Sequence, residues 1–209
     1  MLHERSNDIL ADIDRDGFAL LGSMSRDEYF GLMHALGTPG FETSVELREE
    51  IKTYVCQPGE VPMHTDHPEA DLIAWRCDQQ DDLDGASLIM DGQRVAQNCD
   101  ARTRSLLEKT YLAPRRSKGH PPLLTPVLRA IKGLTRVCFA PWLAPVSDDP
   151  AQHQAYDAFA DAIRRAAPTE VRLAEGEVLI VDNARVLHGR RSLDASSRRK
   201  LTRLWIRRD

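Results

Sequence analysis

No apolar run in this sequence approaches the ~18 residues that a membrane-spanning helix needs. The first ten residues, MLHERSNDIL, lack the apolar core of a signal peptide. There is no excess of basic charge: the formal net charge is -4, so no global field asks for nucleic acid. None of the four cysteines, at 56, 77, 99 and 138, stands in a C-x-x-C pair, which removes the usual zinc-knuckle and redox spellings and leaves four reduced, mostly buried thiols. No internal repeat, low-complexity tract or linker divides the chain. These absences predict a cytoplasmic, single-domain protein of 209 residues. An apolar share of 42% and a charged share of 29% are ordinary for a soluble globular chain. The last stretch, from Arg190 to Arg208, is locally basic and could form a patch at one edge.

Three segments read as helices. SRDEYFGLMHALG (25–37) opens with a capping box, Ser25 to Glu28, and closes on Gly37, with Tyr29, Leu32, Met33 and Leu36 at helical spacing. DARTRSLLEKTYL (100–112) is capped by Asp100. In 147–168, Asp149 caps, Pro150 fits the first position, and Tyr156, Phe159 and Ile163 form the stripe. The runs IKTYVC, DLIAWRC, SLIM, EVRL, EVLIVD and KLTRLWIRR read as strands, bounded by Gly, Pro and Asp turns, with AEGE (174–177) joining two of them. This is no regular βαβ alternation, so a doubly wound parallel sheet does not fit; a mainly β sandwich or barrel with flanking helices does. From 113 to 146 the pattern dissolves, with prolines at 114, 121, 122, 126, 141 and 145. An irregular excursion of that length is expected to be a lid, a binding loop or a mobile segment, with Arg115, Arg116, Lys118 and His120 solvating it.

The stretch MHTDH (63–67) is ambiguous alone: metal site, charge relay or polar surface. If it is extended, His64 and Asp66 share one face, and Thr65 and His67 the other. A third ligand could come from EGEVLIVDNARVLHGRR, which runs a turn, a buried strand and a bend into His188; Asp182 and Asn183 are expected to shape that bend through side-chain bonds to backbone. Two histidines and a carboxylate can form the facial triad of non-haem Fe(II) and leave positions open. Near the end, Arg199, Leu201, Arg203 and Trp205 alternate onto one face, and Thr202, Leu204 and Ile206 onto the other. Arginines beside leucine and tryptophan suggest a lined pocket. Trp75 alternates with Ile73 and Cys77, which favours core over substrate contact.

The order of H-x-D, then GEVLIVDNARVLHGR, then RKLTRLWIRR resembles the taurine dioxygenase and clavaminate synthase-like branch of the Fe(II)/2-oxoglutarate oxygenases, from about Gly22 onward. The resemblance implies a distorted double-stranded β-helix, or jelly roll, that brings residues 64 and 188 together. It implies that His64, Asp66 and His188 are metal ligands and the catalytic centre. It also implies that Arg199 pairs with the far carboxylate of 2-oxoglutarate, with Ser87 of DGASL at a position where the family often has threonine on that carboxylate. Arg203 then matches an arginine that in some relatives reaches an anionic group on the substrate, and Trp75 is a further candidate contact. The implied activity consumes 2-oxoglutarate and O₂ to hydroxylate a small polar, carboxylate-bearing molecule such as an amino acid or natural-product intermediate. A Zn²⁺ hydrolase on the same three ligands, or a non-catalytic binding barrel, are the alternatives. The chain is short for this resemblance, and His67 has no assigned role in it.

Overall fold

The computed structural model describes residues 2–81, 85–113, 123–131 and 133–208. Helix α1 (Leu2–Asp16) leads into β1 (Phe18–Leu21), α2 (Arg26–Leu36) and β2 (Thr38–Val45). Next come β3 (Val61–His64), β4 (Leu72–Gln79) and β5 (Ser87–Asp91), followed by the short helices α3 (Gly92–Gln97) and α4 (Ala101–Leu107). The middle holds β6 (Tyr111–Leu112), β7 (Thr125–Pro126), β8 (Leu128–Ile131), β9 (Leu134–Val137) and α5 (Pro150–Arg165). β10 (Thr169–Val171), β11 (Val178–Asp182), β12 (Val186–Arg190) and β13 (Lys200–Arg207) come last.

Two antiparallel sheets face each other. One has the order β1-β11-β4-β13-β2 and the other β10-β5-β12-β3. Sequence neighbours are rarely sheet neighbours, so the strands cross back and forth as in a jelly roll, the fold class the sequence predicts. Alternation sorts the side chains of the larger sheet. Leu72, Ala74, Val178, Ile180, Leu204 and Ile206 point outward, against α1 and α2. Ile73, Trp75, Cys77, Leu179, Val181, Leu201 and Trp205 point inward and meet Ile89 and Val186 of the smaller sheet. On the far side, Met90 and Leu187 join Phe159, Tyr156 and Ile163 of α5 in a third cluster.

The caps behave as their sequences predict. The Ser25 side chain accepts from the Glu28 amide while the Glu28 carboxylate accepts from the Ser25 amide. Asp149 accepts from the Ala151 amide at the start of α5, and Asp100 caps α4. Other expectations are corrected. IKTYVC is not a strand but a loop ending in a single 3-10 turn, Tyr54–Cys56. The Gln57 side chain donates to the Ile51 carbonyl and folds that loop on itself, which withdraws its backbone from sheet pairing. The helix after Asp100 stops at Leu107, and Tyr111–Leu112 is already strand. α1 leaves little sign in the sequence, because among its described side chains Ile9 and Ile13, with Leu10 beside them, are the apolar core contacts of a largely polar helix. Within 113–146, β8 and β9 pair as a hairpin, so this part of the excursion is ordered strand. The solvation reading of Arg115, Arg116, Lys118 and His120 lies outside the described residues.

One residue ties the two halves of the chain together. Asn183, buried in the bend between β11 and β12, accepts from the Asp66 amide (2.7 Å) and donates to the His67 (3.1 Å) and Ala70 (2.8 Å) carbonyls. Asp182 shapes the bend itself, accepting from the Ala184 amide. Asn183→Ala strands two buried backbone groups, the Asp66 amide and the Ala70 carbonyl, while the His67 carbonyl keeps the Ala70 amide; each stranded group costs about 1–3 kcal/mol. A loss of about 3 kcal/mol is expected, which for a chain of this size lowers Tm by roughly 6–12 °C. A melting scan that moves by less than about 2 °C would show that the loop after β3 holds its shape without Asn183.

Candidate active site

β3 and β12 pair antiparallel, and His64 is the direct cross-strand partner of His188. Their ring centroids lie 4.4 Å apart. This is how residues more than a hundred positions apart meet: the register sets them opposite each other on the inner face. Gly189 permits the close approach, because a Cβ there would sit 2.6 Å from the Val61 carbonyl oxygen and 3.0 Å from Met63 Sδ. His64 Nδ1 lies 2.8 Å from the Pro62 carbonyl, an arrangement that puts the proton on Nδ1 and turns Nε2 inward as a lone-pair donor.

Asp66 lies beyond the end of β3, yet it faces the histidines as an extended strand would place it. Its Oδ1 is 3.7 Å from His64 Nε2, and Oδ2 is 3.9 Å from His188 Nε2. One ligand atom from each of His64, Asp66 and His188 falls within 4.8 Å of the others, and all three residues are buried. Oδ2 also accepts from Arg203 Nη1 and Trp205 Nε1, each at 3.0 Å. Burial by itself would push the Asp66 carboxyl up; the Arg203 guanidinium, helped by the two imidazoles, holds it well below the usual carboxylate range. The site therefore presents an anion and two imidazoles converging from one side. That donor set fits a divalent first-row metal with positions left open, Fe(II) and Zn²⁺ alike. His67 is not part of it: its ring stacks on Trp205 and its Nδ1 accepts from the Glu69 amide.

The same cleft continues away from the histidines. It measures about 490 Å³ including its open mouth, and is lined by Trp75, Ser87, Arg190, Arg199, Arg203 and a collar of valines and leucines. Arg199, just ahead of β13 and only 3% exposed, donates through Nη2 to Ser87 Oγ at 3.0 Å. The two residues singled out for one carboxylate thus stand side by side. Gly85 makes room for them. It has φ +78, and a Cβ there would lie 2.3 Å from Leu193 and 3.0 Å from Arg199 Cδ. Trp75 is both core and wall: it packs inside the sandwich and sets its ring edge-on to His188, 4.9 Å between centroids.

The structure adds to two readings of the basic terminus. Arg203, expected to reach a substrate anion, lines the cleft and also gives Nη1 to Asp66, because β13 carries it directly over that carboxylate. Arg190, read only as one charge in a basic stretch, is buried and lines the cleft. The signal that could have found it is its spacing: two residues after His188 on a strand, it must face the same way.

The family model for the taurine catabolism dioxygenase TauD, TfdA family matches residues 18–205. No curated protein matches the chain. Among solved structures, it is similar to an asparagine oxygenase in complex with Fe(II), 2S,3S-3-hydroxyasparagine and succinate, with a TM-score of 0.80 at 16% identity over 99% of this chain and 79% of that one. It is also similar to the non-heme iron oxygenase OrfP in complex with Fe and alpha-ketoglutaric acid, with a TM-score of 0.77 at 19% identity over 99% of this chain and 80% of that one. At such identity these likenesses establish the fold, which is the jelly roll described above. With the family model spanning nearly all of its length, the chain belongs to the TauD, TfdA family of dioxygenases.

Proposed function

We propose that this protein is an Fe(II)- and 2-oxoglutarate-dependent oxygenase that hydroxylates a small polar molecule, with an amino acid as the first class to test. The observation that carries the reading is one cleft that holds the Arg199–Ser87 pair and the two histidines of the His64–Asp66–His188 cluster. A hydrolase has no evident need for the second half. The asparagine oxygenase and OrfP hold hydroxylated amino acids, 3-hydroxyasparagine and (3R,4R)-dihydroxy-L-Arg, which supports the substrate class.

His64, Asp66 and His188 would hold the metal, and bound iron supplies the activation of dioxygen needed to oxidise an unactivated C–H bond. The chain's own residues do the rest. His64 keeps Nε2 available through its bond to the Pro62 carbonyl. Arg203 and Trp205 fix Asp66 Oδ2, which would leave Oδ1 as the oxygen available to a metal. The planar fork of Arg199, with the Ser87 hydroxyl, would take both oxygens of the distal 2-oxoglutarate carboxylate. Trp75, Val45, Val55, Leu179 and Leu201 exclude water from the interior of the cleft. Arg203 keeps an unpartnered Nε in the cleft, through which it could still meet substrate, and Trp75 offers its ring face.

Residues 113–146 belong in this reading as a cover for the site. In support, the Trp142 ring lies 4.9 Å from that of His64, and the Phe139 carbonyl accepts from the Thr65 amide. A cytoplasmic location suits the four free thiols among the described residues, as a monomer or homodimer. No helix among the described residues is long and apolar enough to cross a membrane.

Succinate formed from 2-oxoglutarate under air, with ferrous iron, tests the activity and separates it from a zinc hydrolase or an inert barrel. His188→Ala and Asp66→Ala should each remove iron and abolish turnover, whereas His67→Ala should keep the metal. Full iron content in His188→Ala would sink the ligand assignment. The arginines should separate in anaerobic titrations. Arg199→Ala should weaken 2-oxoglutarate by roughly 30-fold or more, since truncating one partner of a desolvated charge pair costs ~2–5 kcal/mol. Arg198→Ala should change little. Arg203→Ala should loosen iron by about 10–100-fold, the usual consequence of losing a partner that orients a ligand. Iron affinity untouched in Arg203→Ala, with substrate KM raised, would return Arg203 to the substrate.

A further inference from the structure

Arg190 carries a guanidinium into the cleft with more donors than the protein satisfies. It is 5% exposed. Its Nη2 donates to the Gln57 carbonyl at 2.6 Å and the Gly59 carbonyl at 2.7 Å. Its Nε and Nη1 have no partner among the described residues, and neither does Arg199 Nε. Both arginines line the same cleft, and no carboxylate appears in that lining among the described residues. Burial pushes Arg190 down to about 10, and burial together with the Arg190 charge pushes Arg199 down to about 10. Two mutually repelling, desolvated cations with idle N–H groups are costly unless an anion joins them.

The carbonyls that Arg190 holds belong to the loop between β2 and β3. That loop is knit together: the Arg48 amide donates to the Cys56 carbonyl, and the Gln57 side chain to the Ile51 carbonyl. It places Val55 in the cleft lining. It also places the Tyr54 ring on that of Trp142, centroids 5.1 Å apart, at the mouth beside His64. Tyr54 and Trp142 are both exposed, so the stack faces solvent.

We propose that Arg190 is a positioning residue that couples the co-substrate to the mouth of the cleft: its free N–H groups meet the distal carboxylate held by Arg199 and Ser87, while Nη2 keeps the 46–60 loop closed. The inference rests on the proposed 2-oxoglutarate site. A carboxylate has lone pairs enough for Ser87 and both guanidiniums. Binding it fixes Arg190, and fixing Arg190 fixes Gln57 and Gly59. The Tyr54–Trp142 stack, already formed without ligand, is thereby steadied further when co-substrate is in place.

Amide hydrogen exchange on the iron-loaded protein without oxygen is the test. Saturating 2-oxoglutarate should slow exchange in residues 46–60, and saturating pyruvate, a 2-oxo acid without the distal carboxylate, should not. Arg190→Gln should weaken 2-oxoglutarate about tenfold or more and erase the ligand-dependent slowing, with partial recovery in Arg190→Lys. Equal slowing by pyruvate overturns the coupling, and that comparison needs no variant to fold. So does an Arg190→Gln protein that loosens the loop equally with and without 2-oxoglutarate and binds it as before, since that is the mark of a merely structural arginine. Binding of 2-oxoglutarate without loop protection overturns the coupling alone. Absence of binding to the wild type removes the functional reading along with it.

Discussion

A carboxylate buried in the middle of a β-sandwich is the constraint on which this structure turns. Asp66 cannot sit there alone, because an isolated charge in so apolar a place would neutralise or force the fold open. Every element near it answers that demand. β13 supplies Arg203 and Trp205 to one oxygen, β3 and β12 supply the two imidazoles, and the β11–β12 bend supplies Asn183 to its amide. Three strands and one bend, from both halves of the chain, are thereby fixed relative to one residue. The metal cluster is a product of that same arrangement, since the partners that steady the carboxylate also aim it.

Charge distribution along the cleft follows from this. Arg203 is matched by Asp66, so the pair is close to neutral and sits at the histidine end. Arg199 and Arg190 are unmatched by any acidic side chain in the lining and sit toward Ser87. A dicarboxylate lying along the cleft would put one end at a divalent cation and the other between the two guanidiniums. The Ser87 end of the cleft suits a neutral molecule less well, because the desolvation already imposed on Arg190 and Arg199 is relieved only by negative charge. Arginine is the apt residue here: it cannot shed its proton to escape burial at neutral pH, so the site stays charged and waits.

The sequence carried this site more legibly than it carried the framework. Alternation placed His64 with Asp66 and Arg199 with Arg203, because period-2 geometry is local and buried strands obey it. The capping box at Ser25 and the Pro150 start were equally plain, each being a chemical signature a few residues long. What failed was non-local. IKTYVC has strand composition, yet whether it pairs is decided by Gln57 folding back on Ile51. The roles of Asn183 and Arg203 depend on which backbone or carboxylate lies across the sandwich, a fact of topology that no single segment contains. α1 was missed for the opposite reason: its buried stripe is too narrow to stand out from a polar sequence.

The Arg203–Asp66 bond bears on what a substrate would look like. Nη1 is committed to Asp66, and Nε is left toward the cleft. Trp75, Val45, Val55 and Leu179 line the cleft, and the exposed Tyr54–Trp142 stack lies against His64, so these surfaces are mostly apolar or aromatic. Such a surface recognises shape and excludes water well, but it discriminates weakly between polar groups, because only an unpaired buried donor or acceptor rejects the wrong partner strongly. On the proposed function, selectivity would come from the few polar contacts added at the mouth. The 46–60 loop and the segment around Trp142 would then weigh on substrate identity more than the metal cluster does.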